Sequence, residues 1–491
     1  MKRTGLKAKT IRALSWGMLE SLGVQGVRFC IGVLLARLLF PEQFGLIGML
    51  WVFIAVAQSI SDSGYGLALI QKREVTLTDT STIFYFNIAV GLFAMGAVCL
   101  VAPWVAAFYN QPILTSLTRA MSLIIFINSF AIIHSNMLHK KMDFKTQTQV
   151  SMCESTLSGV IGVSMAFAGF GVWSLVVQQV SGSFFRTLFL WIMNSWRPAL
   201  IFKVQSLKEM FGFGSRMLAS GLIDQIFSNI YFLVIGKLFS ASDLGYFTRA
   251  KAVQELPTNT LSGLVARVTF PLFSKLQDDT IRLKRAMKKA LTLLVLINTP
   301  MMIGLAAISR PLILVLLTDK WAECIPYLEL LCFYGLLHPL NLINLNLLLA
   351  LGRSELYLRL EIAKKIFIVI SIAITWPWGI SWMICGLIIF SIVSYYLNSY
   401  YTGRLIGYPI REQLRDGLPY FVVSALMGIA VYALGLLPFP NYWSMLLSQV
   451  VMGVVVYMSL CRLFRLEAFV ELWQACWSRL VLLKAGTVQN G

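Results

Sequence analysis

The chain has 491 residues, of which 58% are hydrophobic and only 13% are charged, and its mean hydropathy is +0.75. These values exclude an ordinary soluble domain and indicate a protein that crosses a membrane many times. The formal net charge of +19 would suggest nucleic-acid binding in a soluble protein. Here the basic residues follow the loops between apolar stretches, so no nucleic-acid partner is expected.

Apolar stretches that approach spanning length recur along the whole chain. They predict an all-α polytopic membrane protein with about 14 transmembrane helices. In chain order the predicted spans cover residues 13–36, 45–70, 83–106, 113–137, 151–170, 172–193, 211–239, 244–272, 291–317, 325–349, 358–378, 380–401, 418–437 and 443–462.

The loops between these spans alternate in charge. Most loop lysines and arginines fall on one side, which includes the basic N-terminus and the loop at 275–289. The opposite side holds only four basic residues, Arg37, Lys237, Arg310 and Lys320. By the positive-inside rule the basic side is cytoplasmic, and this predicts that both termini lie in the cytoplasm.

An internal repeat links residues 34–46 with residues 234–246 without a gap. Arg37 aligns with Lys237 at an offset of 200 residues, and flanking positions agree at the same offset. Each copy lies between two apolar runs, so each is predicted to form the tight turn of a helical hairpin. A duplicated membrane half is typical of transporters.

The residues of the two turns fit that interpretation. Pro41 suits the first position of a helix, and Ser242 with Asp243 can cap the amides of the second copy. Gly45 and Gly245 would let two helices approach closely.

The repeat divides the chain into two parallel halves that are predicted to surround a central cavity. The expected organisation is an N-terminal six-helix lobe at 1–193, a cytoplasmic linker at 194–210, a C-terminal six-helix lobe at 211–403, two additional transmembrane helices at 404–465 and an amphipathic cytoplasmic tail at 466–491.

Several motifs resemble the polysaccharide flippases of the multidrug/oligosaccharidyl-lipid/polysaccharide superfamily, and most of all the colanic acid and teichuronic acid exporter branch. These motifs are the turn near Gly45 together with its repeated copy near Gly245, and three further stretches at residues 139–145, 169–175 and 310–321. The resemblance implies a flippase that moves undecaprenyl-diphosphate-linked oligosaccharide repeat units from the cytoplasmic to the periplasmic leaflet of the bacterial inner membrane, by alternating access. The export of an exopolysaccharide, a capsule or an O-antigen would follow, with membrane lipids and the polysaccharide polymerase and chain-length machinery as partners.

Charges inside the spans are the candidates for function. A charge at bilayer depth costs at least about 2.5–3.5 kcal/mol, so it normally faces a cavity or a partner. A pyrophosphate headgroup would favour arginine, because the planar guanidinium binds phosphate oxygens in pairs. The candidates for substrate binding are Arg28, Arg186, Arg216, Arg249, Lys251 and Arg267.

Three intramembrane carboxylates, Asp62, Asp224 and Glu255, are the candidates for coupling transport to an ion gradient. Structural roles remain open for the charged residues. Glu20 with Arg28, or Lys251 with Glu255, could form ion pairs that only hold helices together. Snorkelling near span ends would explain Arg119, Glu154 and Glu329.

Motifs of soluble enzymes are absent from the sequence. The three histidines show no metal-ligand spacing, and there is no phosphate-binding Walker loop. We therefore expect no catalytic residue, no metal and no cofactor. Two alternatives stay open: a multidrug or cation antiporter on the same fold, and a membrane-embedded glycan polymerase.

Overall fold

The computed structural model describes residues 23–72, 75–141 and 143–474. The start of the first predicted span, including Glu20, and the tail from residue 475 onward lie outside the described residues. By their internal contacts the residues form two units, 1–248 and 249–491.

The first unit is built from helices that follow one another through short loops. They are α1 (Gln25–Leu38), α2 (Pro41–Asp62), α3 (Tyr65–Gln71), α4 (Leu77–Tyr109), α5 (Ile113–Ser129), α6 (Ile132–Lys141), α7 (Phe144–Phe167), α8 (Val172–Met193), α9 (Val204–Ser228) and α10 (Ile230–Leu238). Helix α11 (Ala241–Lys275) begins in this unit and ends in the second.

The second unit continues with longer helices and two short 3₁₀ turns. They are α12 (Thr280–Ala307), α13 (Ser309–Leu317), the turn Asp319–Trp321, α14 (Cys324–Ala350), α15 (Ser354–Thr375), the turn Trp376–Trp378, α16 (Ile380–Ile406), α17 (Ile410–Leu434) and α18 (Tyr442–Leu463). The all-α polytopic membrane fold predicted from the sequence is confirmed.

Each predicted span overlaps one helix or two consecutive helices. Within the described residues, nine helices are long and apolar enough to cross a membrane, and eleven segments qualify if each bent pair counts as one span. The bent pairs are α5 with α6, at 47°, and α9 with α10, at 43°. Helices α1, α11 and α15 do not pass this test, so the count of fourteen spans stays a prediction.

The predicted span at 45–70 is interrupted at Ser63 and Gly64. Both residues have left-handed backbone angles, with φ of 51° and 69°, which cannot continue an α-helix. A side chain at Gly64 would collide with the Gly214 carbonyl group on α9, so only glycine fits there. The break therefore comes from a close approach of α9 that the apolar pattern does not show.

The two repeated turns have the same local structure, as predicted. Helix α1 ends with the Leu39 amide bonded to the Leu35 carbonyl at 2.8 Å, and α10 ends with Phe239 and Ile235 in the same relation at 2.9 Å. Pro41 occupies the first turn of α2.

The second copy of the turn is capped by Ser240 with Asp243, not by Ser242 with Asp243 as the sequence predicted. The Asp243 carboxylate accepts from the Ser240 amide at 3.2 Å, and the Ser240 hydroxyl accepts from the Asp243 amide at 3.1 Å. This reciprocal capping satisfies amides that a helix start would otherwise leave without partners.

The segment between α8 and α9 is hydrogen-bonded to α4. The Trp196 indole donates to the Thr80 hydroxyl at 3.2 Å, and the Ala199 amide donates to the Ser81 hydroxyl at 3.0 Å. This segment belongs to the first unit. The lobe, linker and tail boundaries given above remain predictions.

A buried polar network joins three helices of the second unit. Asn344 on α14 and Gln413 on α17 exchange two amide hydrogen bonds of 3.3 Å, and the Tyr395 hydroxyl on α16 donates to Gln413 at 2.9 Å. Because each of these groups is buried with partners, the network fixes how α14, α16 and α17 pack.

Candidate functional site

Arg28 is bound to a helix that is distant in sequence. Its guanidinium donates to the Glu154 carboxylate at 2.9 Å and to the Ser155 hydroxyl at 3.0 Å, which joins α1 to α7. The Arg28 side chain is still 59% exposed, whereas that of Glu154 is 14% exposed. The arginine therefore has a structural partner and retains surface for another ligand.

Asp62 ends α2 in a crowded polar corner. It is half-buried, and a side chain at Gly66 would approach its carboxylate oxygen at 2.8 Å and would collide with the Asn136 amide. Asp62 on α2 and Asn136 on α6 therefore lie close together, next to Gly66.

Helix α9 carries an exposed polar stripe. Arg216, Ser220, Asp224 and Ser228 follow one another at four-residue steps, and all four are exposed. Four-residue steps place side chains on one face of a helix. The stripe is exposed on a helix that, together with α10, is otherwise apolar enough to span a membrane.

Two further arginines of the first unit also lie on exposed helix faces. Arg186 is exposed on α8, and Arg119 is exposed on α5.

The candidates of the second unit lie along α11. Lys251 and Glu255 form an ion pair of 3.7 Å one turn apart, as the structural alternative predicts. Arg249 is half-buried near Cys324 at the start of α14. Arg267 lies on the same helix, and its side chain is outside the described part of the structure.

The structure also shows a charged cluster that the sequence did not single out. The Lys72 ammonium contacts the Asp79 carboxylate at 2.9 Å and the Glu209 carboxylate at 3.4 Å. The hydrogen bond and the charge of Asp79 raise the pKa of Lys72. Lys72 lies between α3 and α4, so the cluster ties the start of α4 to α9.

Metal ligands do not converge in the part of the chain that the structure describes. No three His, Cys, Asp or Glu side chains come together there as a possible metal site.

Comparison with known proteins identifies relatives of this chain. The family of polysaccharide biosynthesis proteins matches residues 34–326. The lipopolysaccharide biosynthesis protein WzxC of Escherichia coli strain K12 is 27% identical over 87% of this chain and 89% of its own. The teichuronic acid biosynthesis protein TuaB of Bacillus subtilis strain 168 is 26% identical over 77% and 79%.

Solved structures share the fold at low sequence identity. The lipid II flippase MurJ in an inward closed conformation superposes with a TM-score of 0.71 over 93% of this chain and 98% of its own, at 16% identity. An inward-facing multidrug resistance transporter of the MATE family gives 0.61 over 79% and 98%, at 14% identity. At these identities the likeness concerns the fold alone.

Proposed function

The chain belongs to the polysaccharide biosynthesis protein family, and we propose that it moves lipid-linked oligosaccharide repeat units from the cytoplasmic to the periplasmic leaflet of a bacterial inner membrane. Undecaprenyl diphosphate is the proposed carrier, and both termini are proposed to lie in the cytoplasm. The polymerase and chain-length machinery that would use the product are the proposed partners.

The observation that carries this proposal is the exposed polar stripe of α9. Arg216 and Asp224 stand on a helix that, together with α10, is apolar enough to span a membrane. Each charge would cost at least about 2.5–3.5 kcal/mol if it faced hydrocarbon, so the stripe is expected to face water or a polar substrate. A charged, hydroxylated headgroup requires a hydrophilic surface within the membrane, and the stripe on α9 would provide one.

The basic residues have distinct roles in this proposal. Arg186, Arg216 and Arg267 would receive the diphosphate on the cytoplasmic side, and Arg28, Arg249 and Lys251 would compensate its charge at depth. The polyprenyl tail would stay in lipid. Alternating access by the two predicted lobes would expose the headgroup first to one side and then to the other.

The test is transport by the purified full-length protein in proteoliposomes. The probe is a tetrasaccharide joined through diphosphate to a farnesyl chain, and its appearance in the opposite leaflet is measured by the accessibility of its sugars to periodate. We expect transport by the unmodified protein, a loss of roughly tenfold or more in Arg216→Ala, which equals about 1.4 kcal/mol, and a mild effect in Arg119→Ala, the matched exposed arginine.

Transport no faster than in empty liposomes would refute the function. Normal transport by Arg216→Ala at normal protein levels would refute the site but not the family. Gradient-driven uptake of an organic cation without glycan transport would instead support the antiporter alternative.

A further inference from the structure

A pocket opens in the second unit, and none of the residues proposed above for translocation lines it. It lies where α13 and the start of α14 meet the end of α17 and the start of α18, and its volume is about 630 Å³. An adjoining pocket of about 450 Å³ shares Arg310, Gly435, Tyr442 and Met445 with it. The loop charges place this end of the helices on the predicted periplasmic side.

The wall of the pocket is rich in hydrogen-bond acceptors. Asp319, Glu323 and Glu329 line it, and Arg310 is the basic side chain among its lining residues. The Ser309 hydroxyl donates to Glu329 at 2.7 Å and orients that carboxylate. Since carboxylates outnumber the guanidinium, the lining disfavours a phosphate or another acidic ligand.

Gln449 is the feature that points to a ligand. This residue lines the pocket, yet it is only 1% exposed. Its amide nitrogen donates to the Val431 carbonyl at 2.9 Å, whereas its amide oxygen has no hydrogen-bond partner among the described residues. A buried acceptor without a partner is costly, and a donor brought in by a ligand would satisfy it.

Aromatic rings and a glycine complete the pocket. Tyr432 is 62% exposed and Tyr442 is 45% exposed, so ring surface is available to a ligand. A side chain at Gly435 would collide with the Gln449 amide and would approach the end of Met445 at 3.0 Å. Glycine at this position therefore keeps the amide group within the pocket wall.

We propose that this pocket binds a neutral, hydroxyl-rich oligosaccharide. Sugar hydroxyl groups would donate to Glu329 and to the Gln449 amide oxygen, and the apolar faces of sugar rings would pack on Tyr432 and Tyr442. The volume lies in the range of sites that bind small organic ligands. The proposal rests on this pocket and does not depend on transport.

The experiment measures binding to the full-length protein in nanodiscs by isothermal titration calorimetry. The probes are cellotetraose, which is neutral, and tetragalacturonate, which has the same length and one carboxylate on each ring. We expect the neutral probe to bind at least about tenfold more tightly than the acidic one, a difference of about 1.4 kcal/mol.

Variants connect binding to the pocket. Tyr432→Ala and Gln449→Met are expected to weaken cellotetraose binding by about tenfold each. Tyr396→Ala is the matched control, since Tyr396 is 54% exposed on α16 and does not line the pocket. Glu329→Gln is isosteric, and it should weaken binding without affecting the fold, as thermal unfolding would verify.

Each outcome decides the proposal. No binding of cellotetraose to the folded protein, equal binding of tetragalacturonate, or unchanged binding in Tyr432→Ala, Gln449→Met and Glu329→Gln would overturn it. A further probe is cellotetraose joined through diphosphate to farnesol. If it displaces bound cellotetraose at a lower concentration than free cellotetraose does, a lipid-linked glycan is supported as the natural ligand. Equal or weaker competition would support a released glycan at the same pocket.

Discussion

Gly45 and Gly245 each lie against the start of the helix that carries the other. A side chain on Gly45 would collide with the Ala241 carbonyl at the start of α11, and one on Gly245 would collide with the Pro41 carbonyl at the start of α2. The contact is reciprocal, and the two glycines occupy equivalent positions of the sequence repeat. The repeat detected in the sequence is therefore also a packing contact.

Replacing Gly45 by alanine is expected to destabilise the protein by roughly 1–3 kcal/mol, because the backbones must separate to admit a methyl group. The measurement is thermal unfolding of the purified protein in nanodiscs. Gly96→Ala is the control, since nothing lies within 4 Å of a side chain at Gly96 on α4. Unfolding temperatures that fall equally in both variants would contradict the close contact.

The ion pair between Arg28 and Glu154 predicts coupling between two residues far apart in sequence. In a double-mutant cycle on stability, Arg28→Ala and Glu154→Ala should couple by roughly 0.5–1 kcal/mol, because each removes the same contact and Arg28 remains largely exposed. Additive effects of the two substitutions would show that the pair contributes nothing.

Transport measurements on Arg28 variants can distinguish a structural role of this residue from a role in substrate binding. We expect Arg28→Lys to transport better than Arg28→Ala but less well than the unmodified protein, since lysine keeps the charge and loses the paired hydrogen bonds. Normal transport in Arg28→Ala, at normal protein levels, would leave only the ion pair as its role.

The carboxylates Asp62, Asp224 and Glu255 are expected to differ in their effect on gradient-dependent transport. Asp62 lies half-buried beside Asn136, whereas Glu255 already has Lys251 as a partner. We therefore expect Asp62→Asn to reduce the response to an imposed proton gradient more than Glu255→Gln does.

The matched control for these substitutions is Glu355→Gln, which changes an exposed carboxylate in the first turn of α15. Full gradient-dependent transport in Asp62→Asn, Asp224→Asn and Glu255→Gln would remove all three residues from the coupling scheme.

The orientation of the chain in the membrane can be tested with single cysteines introduced into a variant without native cysteines. Probes at the predicted periplasmic loops should label from outside, namely Gln111, Ser240 and Pro440. Probes at the predicted cytoplasmic loops should label only from inside, namely Thr78, Thr146 and Asp278. Helix α4 has 33 residues and is about 50 Å long, so Thr78 and Gln111 lie at its opposite ends. Their labelling from one side would contradict the predicted topology.

Lys72 predicts a stability effect that depends on pH. Its pKa is raised in the folded state above the ordinary 10.5, so its contribution is fully present below pH 10.5 and is lost as the pH rises through the folded-state pKa. Lys72→Met should cost about 1 kcal/mol at pH 7. The neighbouring exposed Lys208→Met should cost less. A loss in Lys72→Met that is unchanged at high pH would contradict the ionic origin.

The sequence by itself determined the features that depend on local composition. Apolar length predicted the helices, the turn residues predicted the hairpins at Pro41 and Asp243, and four-residue spacing predicted the stripe from Arg216 to Ser228. These properties depend on residues within a few turns of one another, so they can be read before the chain is folded.

Only the tertiary structure decided which of these residues meet. Glu154, the partner of Arg28, lies 126 residues away. The environment of the Gln449 amide depends on Val431 of α17 and on Gly435, which directly follows that helix. The break at Gly64 likewise follows from the approach of α9. The physical reason is that apolar periodicity specifies which face of a helix is buried. Which other helix packs on that face is determined by side-chain packing between segments that are distant in sequence.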